Sequence, residues 1–308
     1  MKILVAGGAG FVGSHLVDKL VQQGHKVDVV DDLSNGKLEN LQSVMPKIRF
    51  HKLDVSQPFA EQFSKDSFDV IYYLPCFPRS QSFENPKRDV EVNVIGMVNA
   101  LEIARKHKSK VIFSSNSGIY DTSKIPIDEK TVDDPKTPYD LDKLQAESFM
   151  KLYGEVYGVD FVIFRFATVY GPRQSLSPTW KPVVLEFIAE LMKGQRPTIY
   201  WDGDQTRDFI YVADLVDALV LALDKKATGE TMILGSGKET SINQLFQTVS
   251  RILGVNVEPV REPKKLGDIR RMRYDCRKAE RILGWKARTT LEEGIKRIIA
   301  ADKERLLR

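Results

Sequence analysis

Cysteine is scarce in this sequence, and neither sign of charge dominates it. Only two of the 308 residues are cysteines, Cys76 and Cys276. Their wide separation is not the spacing of a disulfide framework or of metal ligands, so we expect no bound metal. The 46 basic and 42 acidic residues leave a formal net charge of +4. That excess is too small to indicate a nucleic-acid partner.

Long apolar runs and low-complexity segments are also missing. The apolar run Ile3–Ala6 is interrupted at once by glycines, unlike a signal peptide. No run approaches the length that crosses a membrane. We therefore expect a cytoplasmic protein with no membrane partner. The composition, 42% hydrophobic and 29% charged, is ordinary for a globular chain that can bury a sizeable core.

The first half of the sequence alternates short β-branched runs with longer helical patterns. The predicted strands are Lys2–Ala6, Lys26–Val30, Ile48–Leu53, Val70–Leu74, Lys110–Ser114 and Phe161–Arg165. This alternation predicts an α/β fold with a doubly wound parallel (Rossmann) sheet. Residues 1–172 then form a dinucleotide-binding domain, to which about 206–236 return. Residues 173–308 form a smaller mixed α/β lobe that we expect to bind the substrate.

Three glycines directly follow the first predicted strand and open a helix. In the spacing Gly7, Gly10 and Gly13, one glycine permits a tight turn, one lets a pyrophosphate approach the backbone and one lets the helix pack on the strand. The N-terminus of the helix adds free N–H groups and partial positive charge. The motif therefore predicts a bound dinucleotide, although an ordinary glycine-rich turn is the simpler alternative.

Acidic residues at the ends of the next strands support the dinucleotide. Asp31 and Asp32 end the second strand, and Asp31 stands eighteen residues after Gly13. A carboxylate there accepts both hydroxyls of the adenine ribose and repels a 2′-phosphate, which favours NAD over NADP. Asp54 ends the third strand, where it suits the adenine amino group.

A tyrosine and a lysine form the candidate catalytic pair. Tyr139 and Lys143 stand four residues apart at the start of a predicted helix and so share one face. An ammonium and a positive nicotinamide ring would both favour the phenolate of a tyrosine whose free pKa is ~10. Ser115 and Ser117 follow the preceding strand at its ligand-facing end. Such a set predicts hydride transfer at a carbinol carbon.

Taken together, the sequence resembles the extended short-chain dehydrogenase/reductases, and within them the UDP-glucose 4-epimerase group. The resemblance covers nearly the whole chain and is carried by residues 7–13, 31–36, 93–96, Tyr139 with Lys143, 169–174, 202–209, 235–242 and 267–270. It implies NAD held through the catalytic cycle, a nucleotide-diphosphate sugar (UDP-linked) in the second lobe, and a homodimer joined by paired helices. The expected reaction is epimerisation at C4 through a 4-keto sugar.

The resemblance also implies roles for individual residues. Further residues that line the cofactor would be Phe11, Val12, Asn35, Gly36, Val55, Leu74, Asn93 and Ser114. Arg207 would contact the diphosphate of the sugar nucleotide, together with Arg270 or Arg271. Thr168 stands where glucose epimerases commonly have asparagine. A threonine there is seen in UDP-glucuronate 4-epimerase-like chains, so an acidic sugar is an alternative.

Some positions depart from the epimerase pattern. Asn116 occupies the usual position of the catalytic Ser or Thr, so the hydroxyl would come from Ser115 or, as the alternative, Ser117. Asn116 itself could hydrogen-bond the sugar. The segment 73–79 has a Cys and prolines, as in UDP-glucuronate decarboxylases, but Gly118 stands where those enzymes have an acid. A decarboxylase, a keto-sugar reductase and a non-catalytic NAD sensor therefore remain as alternatives.

Overall fold

A computed structural model gives the fold and describes residues 1–63, 66–176, 181–264 and 268–307. Its strands are, in chain order, β1 (Lys2–Ala6), β2 (Lys26–Asp31), β3 (Ile48–Lys52), β4 (Val70–Tyr73), β5 (Lys110–Asn116), β6 (Phe161–Phe166), β7 (Thr168–Tyr170), β8 (Thr198–Tyr200), β9 (Thr206–Arg207), β10 (Phe209–Tyr211), β11 (Glu230–Leu234), β12 (Thr240–Ser241) and β13 (Val260–Glu262). Its α-helices are α1 (Phe11–Gln22), α2 (Pro86–Val90), α3 (Gly96–His107), α4 (Pro138–Tyr157), α5 (Val183–Met192), α6 (Val212–Leu221), α7 (Ile242–Leu253), α8 (Arg277–Leu283) and α9 (Leu291–Leu307).

A parallel sheet of seven strands forms the centre of the fold. Its order is β3-β2-β1-β4-β5-β6-β11, and every neighbouring pair is parallel. The order steps outwards from β1 in both directions, which confirms the predicted doubly wound α/β class. The six strands predicted in the first half end within two residues of their predicted limits. Because the strands are parallel, their carboxyl ends meet along one edge, where ligands bind in this class.

The C-terminal part combines helices with short strand pairs. β7 pairs with β10, β8 with β13 and β9 with β12, while α5, α7 and α9 pack against one another. β11 instead joins the central sheet beside β6, with Met232 opposite Phe164. The division of the chain into a domain over 1–172 and a lobe over 173–308 stays a prediction.

Apolar side chains cover both faces of the sheet. On β1, Ile3 and Val5 face one buried layer together with Leu16 of α1. Leu4 lies between them in sequence and faces the opposite layer together with Met97 of α3. Successive side chains of a strand point to opposite faces, so this sheet is buried on both sides, as parallel sheets usually are.

The described residues include no helix that is both long and apolar enough to cross a membrane. In the same parts of the chain, no group of three His, Cys, Asp or Glu side chains is arranged to hold a metal ion. Cys76 and Cys276 are free thiols.

A π-helical turn, residues 91–95, joins α2 to α3. The hydroxyl of Tyr73, at the end of β4, donates to the carbonyl of Val92 in this turn at 2.5 Å. Gly96 follows the turn, and a Cβ atom there would lie 2.1 Å from the Tyr73 hydroxyl. Such turns are rare and often mark functional sites. Here the turn buries Asn93 completely.

A buried ion pair fixes α4 to the central sheet. Arg165 on β6 donates to Glu147 on α4 at 2.7 and 2.8 Å, and the two side chains are 5% and 0% exposed. Asp133 accepts a further bond from Arg165 at 2.8 Å. The N-terminus of α4 is capped by Thr137, whose hydroxyl accepts from the N–H of Asp140 at 3.1 Å. Helix α4 is therefore held at its start and in its middle.

We predict that Glu147→Gln destabilises the fold by about 3 kcal/mol, because it leaves the buried guanidinium of Arg165 without its main counter-charge. Urea unfolding gives the free energy directly. The control is Glu155→Gln, which removes an exposed carboxylate from the same helix and should change stability by less than about 0.5 kcal/mol. Equal stability of the two variants would contradict the anchoring role of the Arg165 pair.

Candidate active site

Close contacts explain the glycines of the turn between β1 and α1. Gly7 has a φ of +74°, which favours glycine. A Cβ atom on Gly13 would lie 2.1 Å from the carbonyl oxygen of Gly7, so α1 approaches β1 this closely only with glycine there. Gly10 differs, because a Cβ atom there would meet only that same oxygen, at 3.2 Å. The space beside Gly10 is therefore open to a ligand.

The first turn of α1 presents unpaired N–H groups beside this space. The cap residue Gly10 has no side chain to satisfy them, and the first turn has no acidic residue. The backbone N–H groups of Phe11, Val12 and Gly13 find no acceptor within the described residues. Free N–H groups and the helix dipole attract phosphate. The turn thus fits the predicted pyrophosphate.

Asp31 ends β2 beside the turn. Its carboxylate accepts hydrogen bonds from the N–H groups of Ala9 and Leu33, each at 2.9 Å. Two such bonds fix the carboxylate and leave acceptor positions for ligand hydroxyls. Burial raises the pKa of Asp31, and the two N–H bonds oppose the rise. Asp32 accepts from the N–H of Ser34 at 2.9 Å and is more exposed, so Asp31 is the better placed of the two for the predicted ribose contact.

The loop after Asp31 packs against the glycine turn. The N–H of Lys37 donates to the carbonyl of Ala9 at 3.0 Å. A Cβ atom on Gly36 would lie 2.8 Å from an Asp31 carboxyl oxygen, which explains glycine at that position. Asn35 lies exposed in the same loop. The predicted residues Asn35 and Gly36 therefore lie next to the predicted ribose site.

A cation that the sequence analysis did not identify lies between the acids of this region. Arg88 donates to the carboxylate of Asp54 at 2.8 Å and lies 3.6 Å from Asp32. Partial burial raises the pKa of Asp54, but hydrogen bonds from Ser56 and Arg88 more than offset it, so the net pKa is lowered. Val55 follows, and is buried. Asp54 is thus an ion-paired carboxylate rather than a free one.

The segment after β4 brings the glycine turn and Lys143 together. A Cβ atom on Gly7 would lie 2.9 Å from the backbone nitrogen of Pro75. The Nζ of Lys143 lies 3.3 Å from the carbonyl oxygen of the same proline and 3.1 Å from that of Ser114. Leu74 lies between β4 and Pro75. The predicted cofactor residues Leu74 and Ser114 are therefore next to both predicted sites.

Tyr139 and Lys143 lie on the same face of α4. The Nζ of Lys143 is 5.6 Å from the centre of the Tyr139 ring and 4.9 Å from that of Phe113. Lys143 is 1% exposed, whereas Tyr139 is partly exposed. The Tyr139 hydroxyl has no hydrogen-bond partner in the parts of the chain that the structure describes. It is therefore available to a substrate.

Burial is the main cause of the pKa shifts of Tyr139 and Lys143. Burial raises the pKa of Tyr139 well above its usual range, and the carboxyl group of Asp140 adds to the rise. Burial also lowers the pKa of the Lys143 ammonium. Both shifts favour the uncharged forms. A positive charge brought in by a ligand would favour the phenolate of Tyr139.

The two candidate serines point into the protein. The hydroxyl of Ser115 donates to Glu147 at 2.6 Å, and that of Ser117 donates to the carbonyl of Phe166 at 2.6 Å. Both serines are less than 5% exposed, at 4% and 2%. Their roles in catalysis stay predictions, because in this arrangement each hydroxyl proton already has an acceptor.

Asn116 belongs to a polar network that includes two residues missed in the sequence. Its amide donates to Asp140 at 2.5 Å, and Arg79 donates to the other oxygen of Asp140 at 2.8 Å. Asp140 is fully buried and directly follows Tyr139. Asp140 was visible within the Tyr139–Lys143 motif, whereas nothing in the sequence placed Arg79 beside it.

Arg207, on β9, is held beside the last part of the chain. Its Nη1 donates to the carbonyl of Ile269 at 2.8 Å, and its Nη2 pairs with Asp268. The side chain is 19% exposed. Gly267, which belongs to the same predicted motif, lies outside the described residues.

The other two candidate arginines have different partners. Arg270 bonds both oxygens of Asp202, at 2.7 and 2.8 Å. Arg271 bonds both oxygens of Glu239, also at 2.7 and 2.8 Å. Arg270 is 44% exposed and Arg271 is 57% exposed. Their roles in binding a diphosphate stay predictions, as does that of Arg207.

Tyr274 joins the C-terminal part to the carboxyl end of β5. Its hydroxyl donates to the carbonyl of Ser117 at 3.2 Å, and its N–H donates to Asp208 at 3.3 Å. The N–H of Thr168 donates to the carbonyl of Asp208 at 2.9 Å, and Thr168 is partly exposed. The predicted sugar residue Thr168 is thereby fixed near the same edge of the sheet.

Known proteins similar to this chain are nucleotide-sugar enzymes. The sequence profile of the family described as GDP-mannose 4,6 dehydratase matches residues 4–298. A UDP-glucose 4-epimerase of Mycolicibacterium smegmatis is 36% identical over 307 residues, covering 97% of each chain. UDP-glucuronic acid decarboxylase 3 of Arabidopsis thaliana is 33% identical over 306 residues, covering 96% of this chain and 87% of the relative.

Solved structures agree with this grouping. A UDP-glucose 4-epimerase from Thermotoga maritima, solved with UDP-glucose, has a TM-score of 0.94 at 36% identity, covering 99% of this chain and 100% of that one. A UDP-glucuronic acid 4-epimerase from Bacillus cereus, solved with UDP-glucuronic acid and NAD, has a TM-score of 0.90 at 27% identity, covering 99% of each chain.

We predict that Gly10→Ala weakens NAD binding by at least about tenfold, because a methyl group there occupies the open space beside the free N–H groups. Isothermal titration of protein freed of bound cofactor measures the affinity. The fold should be nearly unaffected, since no backbone strain arises at this position.

Gly24→Ala is the matched control. Gly24 has a φ of +80° and open space around it, so a methyl group there costs about 1 kcal/mol of stability without reaching the turn. We expect this variant to bind NAD normally. If Gly10→Ala bound NAD as tightly as Gly24→Ala, the glycine turn would not be the pyrophosphate site.

Proposed function

Because the chain belongs to the extended short-chain dehydrogenase/reductases, in the family described as GDP-mannose 4,6 dehydratase, we propose that it is an NAD-dependent UDP-hexose 4-epimerase. The observation that carries the proposal is the position of Pro75. One face of this residue contacts the glycine turn, and its carbonyl accepts from Lys143. The cofactor turn and the catalytic pair are thus adjacent parts of one site.

The residues at the glycine turn fit NAD. The free N–H groups of the first turn of α1 would hold the pyrophosphate. Asp31 would accept the hydroxyls of the adenine ribose and repel a 2′-phosphate. The ammonium of Lys143 gives two of its protons to carbonyl oxygens, which leaves one for the nicotinamide ribose. When bound, NAD supplies a reversible hydride acceptor and a positive ring.

Tyr139 would carry the proton of the reacting hydroxyl. The ammonium of Lys143 lies over its ring, 5.6 Å from the ring centre, and a phenolate there would remove the proton from the C4 hydroxyl as that carbon becomes a ketone. The same phenol returns the proton when the opposite face of C4 is reduced. Lys143 stabilises the phenolate by its charge.

The arginines and the polar network would hold the substrate during this exchange. Arg207, with Arg270 or Arg271, suits the diphosphate, since a guanidinium fork matches phosphate geometry. Anchoring the nucleotide would leave the sugar free to turn between the oxidation of C4 and its reduction on the opposite face. Asn116 would hydrogen-bond the sugar, while Ser115 or Ser117 would have to exchange its present acceptor for the substrate.

A 4-epimerase of UDP-glucuronate is the second candidate. The guanidinium of Arg79, 2.8 Å from Asp140, lies beside the catalytic tyrosine, where a sugar carboxylate would find a cation. Thr168 supports the same alternative. The decarboxylase alternative lacks an acidic residue at Gly118. A keto-sugar reductase would use the same Tyr139–Lys143 pair but would consume NADH in amounts equal to its product, whereas a cofactor sensor has no need of that pair.

We predict that Tyr139→Phe lowers the rate of interconversion of UDP-glucose and UDP-galactose at least about a hundredfold, because it removes the acid–base group. Proton NMR of the sugar nucleotides follows the reaction. UDP-glucuronate is assayed in parallel, with carbon dioxide release monitored, to separate the three candidate activities.

Tyr153→Phe is the control on the same helix. Tyr153 donates to Glu102 at 2.7 Å, away from the site, so this variant should keep the wild-type rate within about twofold. A Tyr139→Phe enzyme that turns over at a rate close to that of Tyr153→Phe would refute the assignment.

We also propose that the protein is a homodimer joined through α4. Exposed apolar side chains follow one side of this helix and continue at the end of α2 and on the turn before α3; these are Val90, Ile95, Leu141, Phe149, Leu152, Val156 and Tyr157, from 36% to 57% exposed. Large exposed apolar patches usually mark an interface. A second copy of the same helix would cover this stripe in a symmetric contact.

We predict that Leu152→Asp converts the dimer to a monomer, because it places a charge inside the apolar stripe. Sedimentation equilibrium gives the mass. Leu221→Asp, at a position 40% exposed on α6, is the control and should leave the dimer intact. A wild-type protein that sediments as a monomer would contradict the interface.

A further inference from the structure

Two aspartates that the proposed reaction does not use lie buried near Lys143. Asp89, in α2, is fully buried, and Asp142, in α4, is 4% exposed. Each carboxyl lies close enough to the other to shift its pKa, and a hydrogen bond between the two accounts for this effect. Apart from this contact, the Oδ2 atom of each is buried without a donor in the residues that the structure describes.

A hydrogen bond between two carboxyl groups requires a proton on one of them. Burial raises the pKa of Asp89 to about 7 and that of Asp142 to about 6, well above the usual ~4. Asn93, in the π-helical turn, donates to the other oxygen of Asp89. The pair therefore holds one proton and one negative charge near neutral pH.

That charge acts on the ammonium of Lys143, whose pKa both carboxyls raise. Among the described residues, Lys143 forms no ion pair of its own, and its Nζ bonds only carbonyl oxygens. The groups that raise its pKa against the effect of burial are Cys76, Asp89 and Asp142. Two other cations of this region have their own partners, since Arg88 pairs with Asp54 and Arg79 pairs with Asp140.

We propose that Asp89 and Asp142 act as one positioning unit, a carboxyl pair that shares a proton and keeps a single negative charge beside the buried ammonium of Lys143. The unit would maintain Lys143 in its charged form next to Tyr139. The effect of the unit on catalysis rests on the proposed function, whereas the proton shared by Asp89 and Asp142 does not depend on it.

The fold brings the two carboxyl groups together from separate elements. Asp142 lies one residue before Lys143 on α4. Asp89 reaches α4 because α2 and the turn 91–95 pack against that helix. The Tyr73 hydroxyl holds this turn through Val92. A shift of the turn would therefore separate Asp89 from Asp142.

Stability as a function of pH tests the shared proton without any enzyme assay. Since the pKa of each carboxyl is raised in the folded state, the pair's contribution to stability is fully present below about pH 4 and is lost as pH rises towards 7. Replacing both aspartates by asparagine should flatten this decline. The measurement is the urea midpoint of wild type and variants from pH 4 to about pH 8.

Activity as a function of pH tests the positioning role. The single variants Asp89→Asn and Asp142→Asn each keep one carboxylate and one N–H···O bond, so the negative charge remains. We expect them to keep the wild-type pH optimum and to lose at most about threefold in kcat. The double asparagine variant removes the negative charge that raises the pKa of Lys143 and that of Tyr139, so we expect the pKa of both groups to fall. Its optimum should move to lower pH by about one unit, with kcat at neutral pH reduced about tenfold and KM within about twofold.

The outcomes separate this proposal from the proposed function. Glu155→Gln, an exposed carboxylate on α4, serves as the control and should match wild type in both assays. The proposal is overturned if the double variant keeps the wild-type pH optimum of activity. It is also overturned if each single variant shifts that optimum as far as the double variant does. If the double variant does not fold, the single variants provide the test. Each must then reduce the fall in stability between pH 4 and about pH 8, and a fall equal to that of wild type overturns the proposal. Failure of Tyr139→Phe to lose activity would overturn the proposed function and leave the stability result standing.

Discussion

The parallel pairing of β1 with β4, and of β4 with β5, is the constraint on which the site depends. It places the glycine turn after β1, Pro75 after β4 and Ser114 near the end of β5 along one edge of the sheet. Lys143 then reaches two of these segments with one ammonium group. A change in the strand order would separate the cofactor turn from the catalytic helix.

Burial is the main cause of the pKa shifts at this edge of the sheet. Lys143, Asp89 and Asp142 are buried and Tyr139 is partly buried, and the pKa of each is shifted towards its uncharged form. The positive charge of a bound nicotinamide ring would lower the pKa of the tyrosine more strongly here than in water, because little solvent would screen it. The Arg165–Glu147 pair serves a different purpose, since it fixes the helix that presents these groups.

The sequence predicted the fold and the position of the glycine turn well, because both depend on local patterns, while the cofactor contacts of the individual residues stay predictions. Alternating apolar runs located the strands, and glycine spacing located the turn. The sugar end was harder. Ser115 and Ser117 were chosen because they flank Asn116 at the end of the strand, but the hydroxyl of Ser115 donates to Glu147. Partners far apart in sequence, such as Arg79 with Asp140 or Asp89 with Asp142, could not be predicted from spacing at all.

Transfer of the C4 hydrogen within one bound complex is the central claim. The most direct measurement uses UDP-glucose that carries deuterium at C4, with mass spectrometry and NMR of the product and of the protein-bound cofactor. The account predicts UDP-galactose that retains deuterium at C4, no hydrogen from solvent at that carbon and an unchanged total of bound NAD. Deuterium lost to solvent, or recovered in reduced cofactor in amounts equal to the product, would contradict it.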